Sequence, residues 1–197
     1  MIVRHADAGD REAIVRIYNW YIDNSHATFD VAPITVDDRA AWFAQFAPIG
    51  PHRLLVAIDG GEVIGYAGSV AHREHVAFAG TVELTIYLDH EHTRRGTGSA
   101  LYGRLLAELA NEPIHLIVAG IALPNEASIA LHRRFGFRPV GIFDRYAQKN
   151  GVEISSLWMQ RRLHDQPSDG DGALTLEGAG WDGDLDVIRG SRPAPPR

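Results

Sequence analysis

The chain has 197 residues, 45% apolar and 22% charged, with a net charge of −6 and no cysteine. That length suits one domain with a tail and a sizeable core, and the acidic balance lacks the basic footprint of a nucleic-acid binder. Without cysteine, disulfides, thiolate catalysis and cysteine-ligated zinc are excluded; no apolar run approaches the ~20 residues of a membrane span and the opening MIVRHADAGD lacks a signal-peptide core, so a cytoplasmic protein with no membrane partner is expected.

Residues 1–6 form a short strand candidate. Asp7 suits an N-cap and Glu12 lies where a helix opens; Ala13, Ile14, Ile17, Tyr18 and Tyr21 keep helical spacing to about Asn24. Residues 25–30 break that pattern as a loop. Thr35, with Asp38 following, caps a second helix in a looser form of the capping box. Its apolar face is Ala41, Trp42, Phe43 and Phe46, and Pro48, Gly50 and Pro51 end it. Residues 53–58 and 62–70 are strands of a hairpin turned at Asp59-Gly60-Gly61, and 72–80 is a connection.

The stretch 82–106 is strand, turn and helix in succession. Val82, Leu84, Ile86 and Leu88 alternate with Glu83, Thr85, Tyr87 and Asp89. Thr93-Arg94-Arg95-Gly96-Thr97-Gly98-Ser99 follows, and then Leu101, Leu105, Leu106 and Leu109 recur at helical spacing. Residues 113–121 are nearly continuous apolar, which suits a strand covered on both faces. Pro124-Asn125-Glu126 opens the next helix, which reaches Phe135 and stops at Gly136 in the C′ manner. Residues 137–147 and 152–160 are strands turned at Lys149-Asn150-Gly151. The domain is expected to span 1–164. Residues 165–197, rich in glycine, aspartate and proline, form an appendage, partly ordered or disordered. The order β-α-α-β-β-β-α-β-α-β-β implies an α/β fold: a mixed, mostly antiparallel sheet with helices on both faces.

A glycine-rich, basic turn feeding a helix start is an anion site, because the first helical N–H groups lack internal partners and the dipole adds positive charge. Gly96-Thr97-Gly98 is neither a Walker loop nor a Rossmann fingerprint in register. Glu83 shares a strand face with Thr85 and Tyr87; a mid-strand carboxylate there is either a general base or a solvent-facing, salt-bridged residue. His132, on the helix after Asn125, is either an acid–base group or a half-buried histidine. His90-Glu91-His92, and likewise His72 and His75, suit solvated loops as well as metal ligation; no further ligand or second shell is visible in the sequence, so no metal is expected.

Taken together, Arg95-Gly96-Thr97-Gly98-Ser99-Ala100-Leu101 after a strand, and Asn125-Glu126-Ala127-Ser128 through His132 to Phe135-Gly136-Phe137, resemble the GNAT superfamily of acetyl-CoA-dependent N-acetyltransferases. Within it the chain is most similar to the phosphinothricin and methionine sulfone/sulfoximine N-acetyltransferases, on Ile17-Tyr18-Asn19-Trp20-Tyr21-Ile22 with Thr28-Phe29, on Thr81-Val82-Glu83-Leu84-Thr85-Ile86-Tyr87, and on Leu123-Pro124-Asn125. The resemblance covers about residues 1–162. It implies that the backbone of Ile86, Tyr87 and Leu88 binds pantetheine as an added strand. It implies that amides around Arg94, Arg95, Gly96, Thr97, Gly98 and Ser99 cradle the pyrophosphate, and that Asn125 and Ser128 line the thiol end. Glu83 matches the general base and His132 the residue that protonates the leaving thiolate. Ahead of Glu83 the subgroup carries an aromatic–arginine pair; here Phe78-Ala79-Gly80 stands, and the resemblance implies that Arg73, which matches another family arginine upstream, holds the substrate carboxylate in its place. Tyr18, Tyr21 and Phe29 would shape the acceptor pocket. The resemblance thus implies transfer of acetyl from acetyl-CoA to the amine of a small molecule such as an amino-acid analogue, by a homodimer. A protein N-terminus or polyamine as acceptor, or a non-catalytic acyl-CoA sensor, are the other readings; an acidic groove would favour a cationic acceptor and an arginine-lined pocket an amino acid.

Overall fold

The computed structural model describes residues 1–93 and 96–163. The appendage at 165–197 and the pair Arg94-Arg95 lie outside the described residues. The chain opens with β1 (Ile2–His5). Asp7 caps the next turn as expected, in a capping box with Asp10; that turn is a 3-10 turn, Ala8–Asp10, and it precedes α1 (Arg11–Asn24), which has Glu12 in its first turn. The Asp10 carboxylate also takes the Arg4 guanidinium at 2.7 and 2.9 Å, which ties the helix start to β1.

The second helix is much shorter than expected. Thr35 and Asp38 do form the reciprocal capping bonds, Asp38 N to Thr35 Oγ1 at 3.1 Å and Thr35 N to Asp38 Oδ2 at 2.8 Å. Helical pairing nevertheless covers only α2 (Ala40–Phe43). A helix nucleus is costly, and Pro48, Gly50 and Pro51 close behind leave little room to propagate one.

The hairpin β2 (Leu54–Asp59) and β3 (Glu62–Ala71) follows, then β4 (Thr81–Leu88), α3 (Thr97–Leu109), β5 (Leu116–Ala122), α4 (Glu126–Arg134), β6 (Arg138–Lys149) and β7 (Val152–Arg162). The end of α4 is a Schellman motif: Gly136 (φ +78°) donates to the Arg133 carbonyl and Phe137 to that of His132. The strands make one seven-stranded sheet in the order β1-β2-β3-β4-β5-β7-β6. Only β4 and β5 pair in parallel among the described strands; the rest are antiparallel. This is the mixed, mostly antiparallel α/β fold expected.

The central strands are covered on both faces, so β2 is buried at four consecutive positions, Leu54 to Ala57. Leu54 and Val56 join Tyr66 and Val63 of β3 against Ile14, Val15 and Ile17 of α1 and Phe43 of α2. Opposite them, Leu101, Leu105 and Leu109 of α3 are fully buried, α3 packing on β2, β3 and β4. Each such leucine stabilises the fold by about 1.5–3 kcal/mol. No helix among the described residues is long and apolar enough to cross a membrane.

Candidate active site

The sheet opens at its one parallel pair. β4 and β5 register only at Thr81, Val82 and Glu83 against Leu116, Ile117 and Val118. Beyond Glu83, β4 runs on to Leu88 with β3 on one side and, among the described residues, no strand on the other. Backbone N–H and C=O groups left unpaired need a partner. A free edge of this kind accepts an extended chain as an added strand.

A cleft of about 780 Å³ lies along that edge. Leu84 to Leu88 form one wall, and Asn125, Ser128, Leu131 and His132 of α4 form the other. Thr93, Gly96, Thr97, Gly98 and Ser99, at the start of α3, line it as well, and so do Tyr18, Tyr21, Thr28, Phe29 and Asp30. Of the coenzyme residues named from the resemblance, Ile86, Tyr87, Leu88, Gly96, Thr97, Gly98, Ser99, Asn125 and Ser128 therefore share one cavity. Arg94 and Arg95 lie outside the described residues.

The start of α3 suits an anion. Gly96, its N-cap, adopts φ +80° and has no side chain to cap the first amides, which leaves them for a ligand. Gly98 sits where a Cβ would come within 3.3 Å of the Leu131 side chain and 3.6 Å of Ile86 and Leu88. A Cβ there would be tight against Leu131 and in ordinary contact with Ile86 and Leu88, so a larger side chain has little room. The buried Thr97 Oγ1 has no hydrogen-bond partner among the described residues. The free edge, the uncapped helix start and this orphaned hydroxyl fit a ligand that carries both amides and phosphates.

Alternation along β4 separates two faces. In register with β3, Glu83 opposes Val70, Thr85 opposes Gly68 and Tyr87 opposes Tyr66, so these three look toward α1. Glu83 is half-buried, its side chain 35% exposed, and its Oε2 lies 3.2 Å from His72 Nδ1. Further along β4 the cleft is lined by aromatic rings. Tyr87 meets Tyr18 and Tyr21 edge to face at 5.0 and 5.1 Å. The Tyr18 hydroxyl donates to Asp30 at 2.6 Å and the Tyr21 hydroxyl to the Leu88 carbonyl at 2.8 Å. Phe29 lines the cleft and leans on Tyr146 at 5.8 Å. The loop that carries Thr28 and Phe29 is pinned from β6: Lys149 Nζ donates to the carbonyls of Ser25 (2.8 Å) and Thr28 (3.2 Å).

Arg73 does not join them. It is exposed, lies over the Phe78 ring at 5.4 Å and is not part of the cleft wall. Its place past the end of β3 turns it toward the 3-10 turn Val76–Phe78 instead. Among the described residues the charged side chains of the wall are Asp30 and Glu83, with His132.

His132 is almost fully buried, and both ring nitrogens are engaged. Nδ1–H donates to the Ser128 carbonyl one turn back at 2.7 Å. A nitrogen facing a carbonyl must carry the proton, so Nε2 is the acceptor and takes the Tyr102 hydroxyl at 2.9 Å. Burial holds the imidazole below the ordinary histidine range, while the bond to Ser128 acts against that shift. Burial also pushes the Tyr102 phenol far up. The pair is thus a neutral ring and a neutral phenol. Asn125 caps α4, its side chain accepting from the Ser128 amide at 3.1 Å.

Sequence reasoning missed three members of this site. His72 reaches Glu83 only through a β3–β4 register that a nine-residue connection, 72–80, hides. Tyr102 sits among the leucines of α3 and reads as core. Asp30 reads as a loop residue, and only the fold brings it to Tyr18.

Comparison with known proteins gives the same direction. Residues 14–137 match the family model described as Acetyltransferase (GNAT) family. A phosphinothricin N-acetyltransferase of Streptomyces coelicolor is 40% identical over 163 residues, 82% of this chain and 95% of the relative. An L-methionine sulfoximine/L-methionine sulfone acetyltransferase of Pseudomonas paraeruginosa is 36% identical over 82% of this chain and 94% of its own length. The structure of a GNAT superfamily phosphinothricin acetyltransferase from Sinorhizobium meliloti, in complex with acetyl-CoA, superimposes with a TM-score of 0.79 at 30% identity, over 88% of this chain and 95% of that one. With the split sheet, the uncapped α3 and these relatives in agreement, the chain belongs to the GNAT family of acetyltransferases and is an acetyl-CoA-dependent N-acetyltransferase.

Proposed function

We propose that the acceptor is a small amino-acid analogue of the phosphinothricin or methionine sulfone/sulfoximine kind, acetylated on its amino group by direct attack on the thioester. What carries the reading is one cleft that joins a free β4 edge, an uncapped helix start and the Glu83 carboxylate. The names of the relatives, phosphinothricin and methionine sulfoximine/sulfone acetyltransferases, support the acceptor class.

Ile86, Tyr87 and Leu88 would hold pantetheine through their backbone, and the amides of Gly96 to Ser99 the pyrophosphate, with Arg94 and Arg95 adding charge. Asn125 and Ser128 would line the thiol end. Acetyl-CoA supplies the acetyl group as an activated thioester. The chain must supply a free amine, since an ammonium has no lone pair with which to attack. Glu83 takes that proton: one N–H bond breaks and a carboxyl O–H forms. Backbone N–H donors of β4 then meet the oxyanion that develops on the carbonyl oxygen. His132 serves as the second proton carrier, for the departing sulfur. Its Nδ1–H stays on the Ser128 carbonyl; Nε2 would take the second proton of the attacking nitrogen, and that N–H would break as the C–S bond breaks and the S–H forms, so His132→Asn should lower kcat. Tyr18, Tyr21 and Phe29 shape the acceptor end. A cytoplasmic homodimer is expected, the dimer from the resemblance to the subgroup; light scattering would read it as twice the chain's 21.6 kDa.

A second reading draws on the acidic lining. Asp30 and Glu83, with no arginine or lysine beside them among the described wall residues, favour a polyamine or a peptide N-terminus over a carboxylate-bearing acceptor. Coenzyme A release with phosphinothricin, methionine sulfone, spermidine and an alanyl peptide separates the two. The amino-acid reading expects the first two to give the highest kcat/KM. Faster turnover of spermidine or the peptide would replace it.

A further inference from the structure

We infer that His72 is the positioning residue of the general base: it holds one oxygen of the Glu83 carboxylate and leaves the other for the acceptor amine. The inference rests on the reading of Glu83 as base.

The register of β3 and β4 brings the two together. Val70 opposes Glu83 and Ala71 opposes Val82. Residues two apart on a strand share a face. The chain leaving β3 at Ala71 therefore carries His72 onto the Glu83 face, one diagonal step away, a distance long side chains span. There Nδ1 lies 3.2 Å from Glu83 Oε2. A carboxylate can only accept, so Nδ1 is the donor.

The ring is held from other parts of the chain. Phe78, on the 3-10 turn before β4, meets it edge to face at 6.0 Å, and Trp158, on β7, at 5.7 Å. The His72 side chain is only 18% exposed. Arg73, the nearest arginine in sequence, is engaged with Phe78 and does not compete for the carboxylate. Among the described residues, His72 is the one hydrogen-bond partner of the Glu83 side chain, and Oε1 has none.

A base works only within hydrogen-bond reach of the proton it removes, and a small loss of alignment costs rate steeply. An unheld glutamate spreads over many rotamers. With Oε2 fixed, Oε1 is the oxygen that meets the amine: the acceptor N–H breaks, the O–H forms at Oε1, and the His72 N–H stays intact.

The test is steady-state kinetics on the full-length chain, with the donor and acceptor that the wild type turns over. His72→Leu should lower kcat at least tenfold, with acetyl-CoA Kd and acceptor KM within threefold. His72→Asn, whose amide N–H stands near the Nδ1 position, should recover kcat to within threefold of wild type, whereas His72→Gln should not. Added to Glu83→Gln, His72→Leu should cost no more than twofold, since nothing remains to position. An equal loss from His72→Leu in both backgrounds, or equal kcat for the Asn and Gln variants, overturns the inference while leaving Glu83 as base. Full kcat in Glu83→Gln alone removes the base reading, and the inference with it. Should the leucine variant fail to fold, the Asn–Gln comparison still decides.

Discussion

At the scale of single residues, His132 couples the site to stability. Its imidazole is buried, donates to Ser128 and accepts from Tyr102, and burial holds its pKa below the ordinary 6.5. The unfolded chain binds a proton there near pH 6.5, but the folded chain does so only at lower pH. The sign follows: between those two values the unfolded state holds more protons, so stability is complete above about pH 6.5 and is lost as pH falls toward the folded value. The loss within that window is at most about 1.4 kcal/mol per pH unit. Urea midpoints at pH 7.5 and 5.5 check it. The wild type should be less stable at pH 5.5, and His132→Asn should show a smaller difference between the two pH values; an unchanged difference would mean that other groups carry it.

At the scale of elements, the site is made where three of them stop short of one another. β4 outruns its pairing with β5, α3 starts beside it without a side-chain cap, and α4 closes the far wall. Gly98→Val would drive a branched side chain into Leu131, Ile86 and Leu88; if the roughly 1–3 kcal/mol overpacking cost falls on the bound geometry, acetyl-CoA Kd should rise about 5- to 150-fold. Calorimetric titration reads it directly, and an unchanged Kd would detach this helix start from the pyrophosphate. A different element bears on the proposed acceptor end. Lys149 at the end of β6 pins the 25–30 loop through two carbonyls. Lys149→Ala should raise acceptor KM several-fold while acetyl-CoA Kd stays within about twofold, because the loop touches only the acceptor end of the cleft. Equal shifts in both constants would show a general loosening.

At the scale of the whole molecule, the fold was largely legible because each level of the sequence agreed with the next. Period-two alternation in β4, helical spacing of Leu101, Leu105 and Leu109, and Gly136 as a helix stop are local signals, and each holds in the structure. The extent of α2 was not legible: Thr35 and Asp38 cap as their residue types suggest, but capping does not set how far a helix propagates. The residues proposed for the coenzyme lie on two contiguous motifs, and apart from Arg94 and Arg95, which are outside the described residues, they line one cleft. The acceptor end could not be read in the same way. Arg73 was named from the resemblance and lies over Phe78, whereas His72, its neighbour, is the residue that reaches Glu83. Such contacts depend on register between strands joined by a long connection, which no local pattern carries.

The proposed chemistry turns on Glu83 removing the proton that lets an amine attack acetyl-CoA. Coenzyme A release by the Glu83→Gln variant, followed beside an acetyl-CoA titration of the same protein, tests this most directly. The predicted result is kcat lowered by about 100-fold or more, within the 10²–10⁴ that general-base catalysis contributes, with acetyl-CoA Kd within about twofold of wild type. A variant that binds acetyl-CoA normally and keeps its full kcat would contradict it.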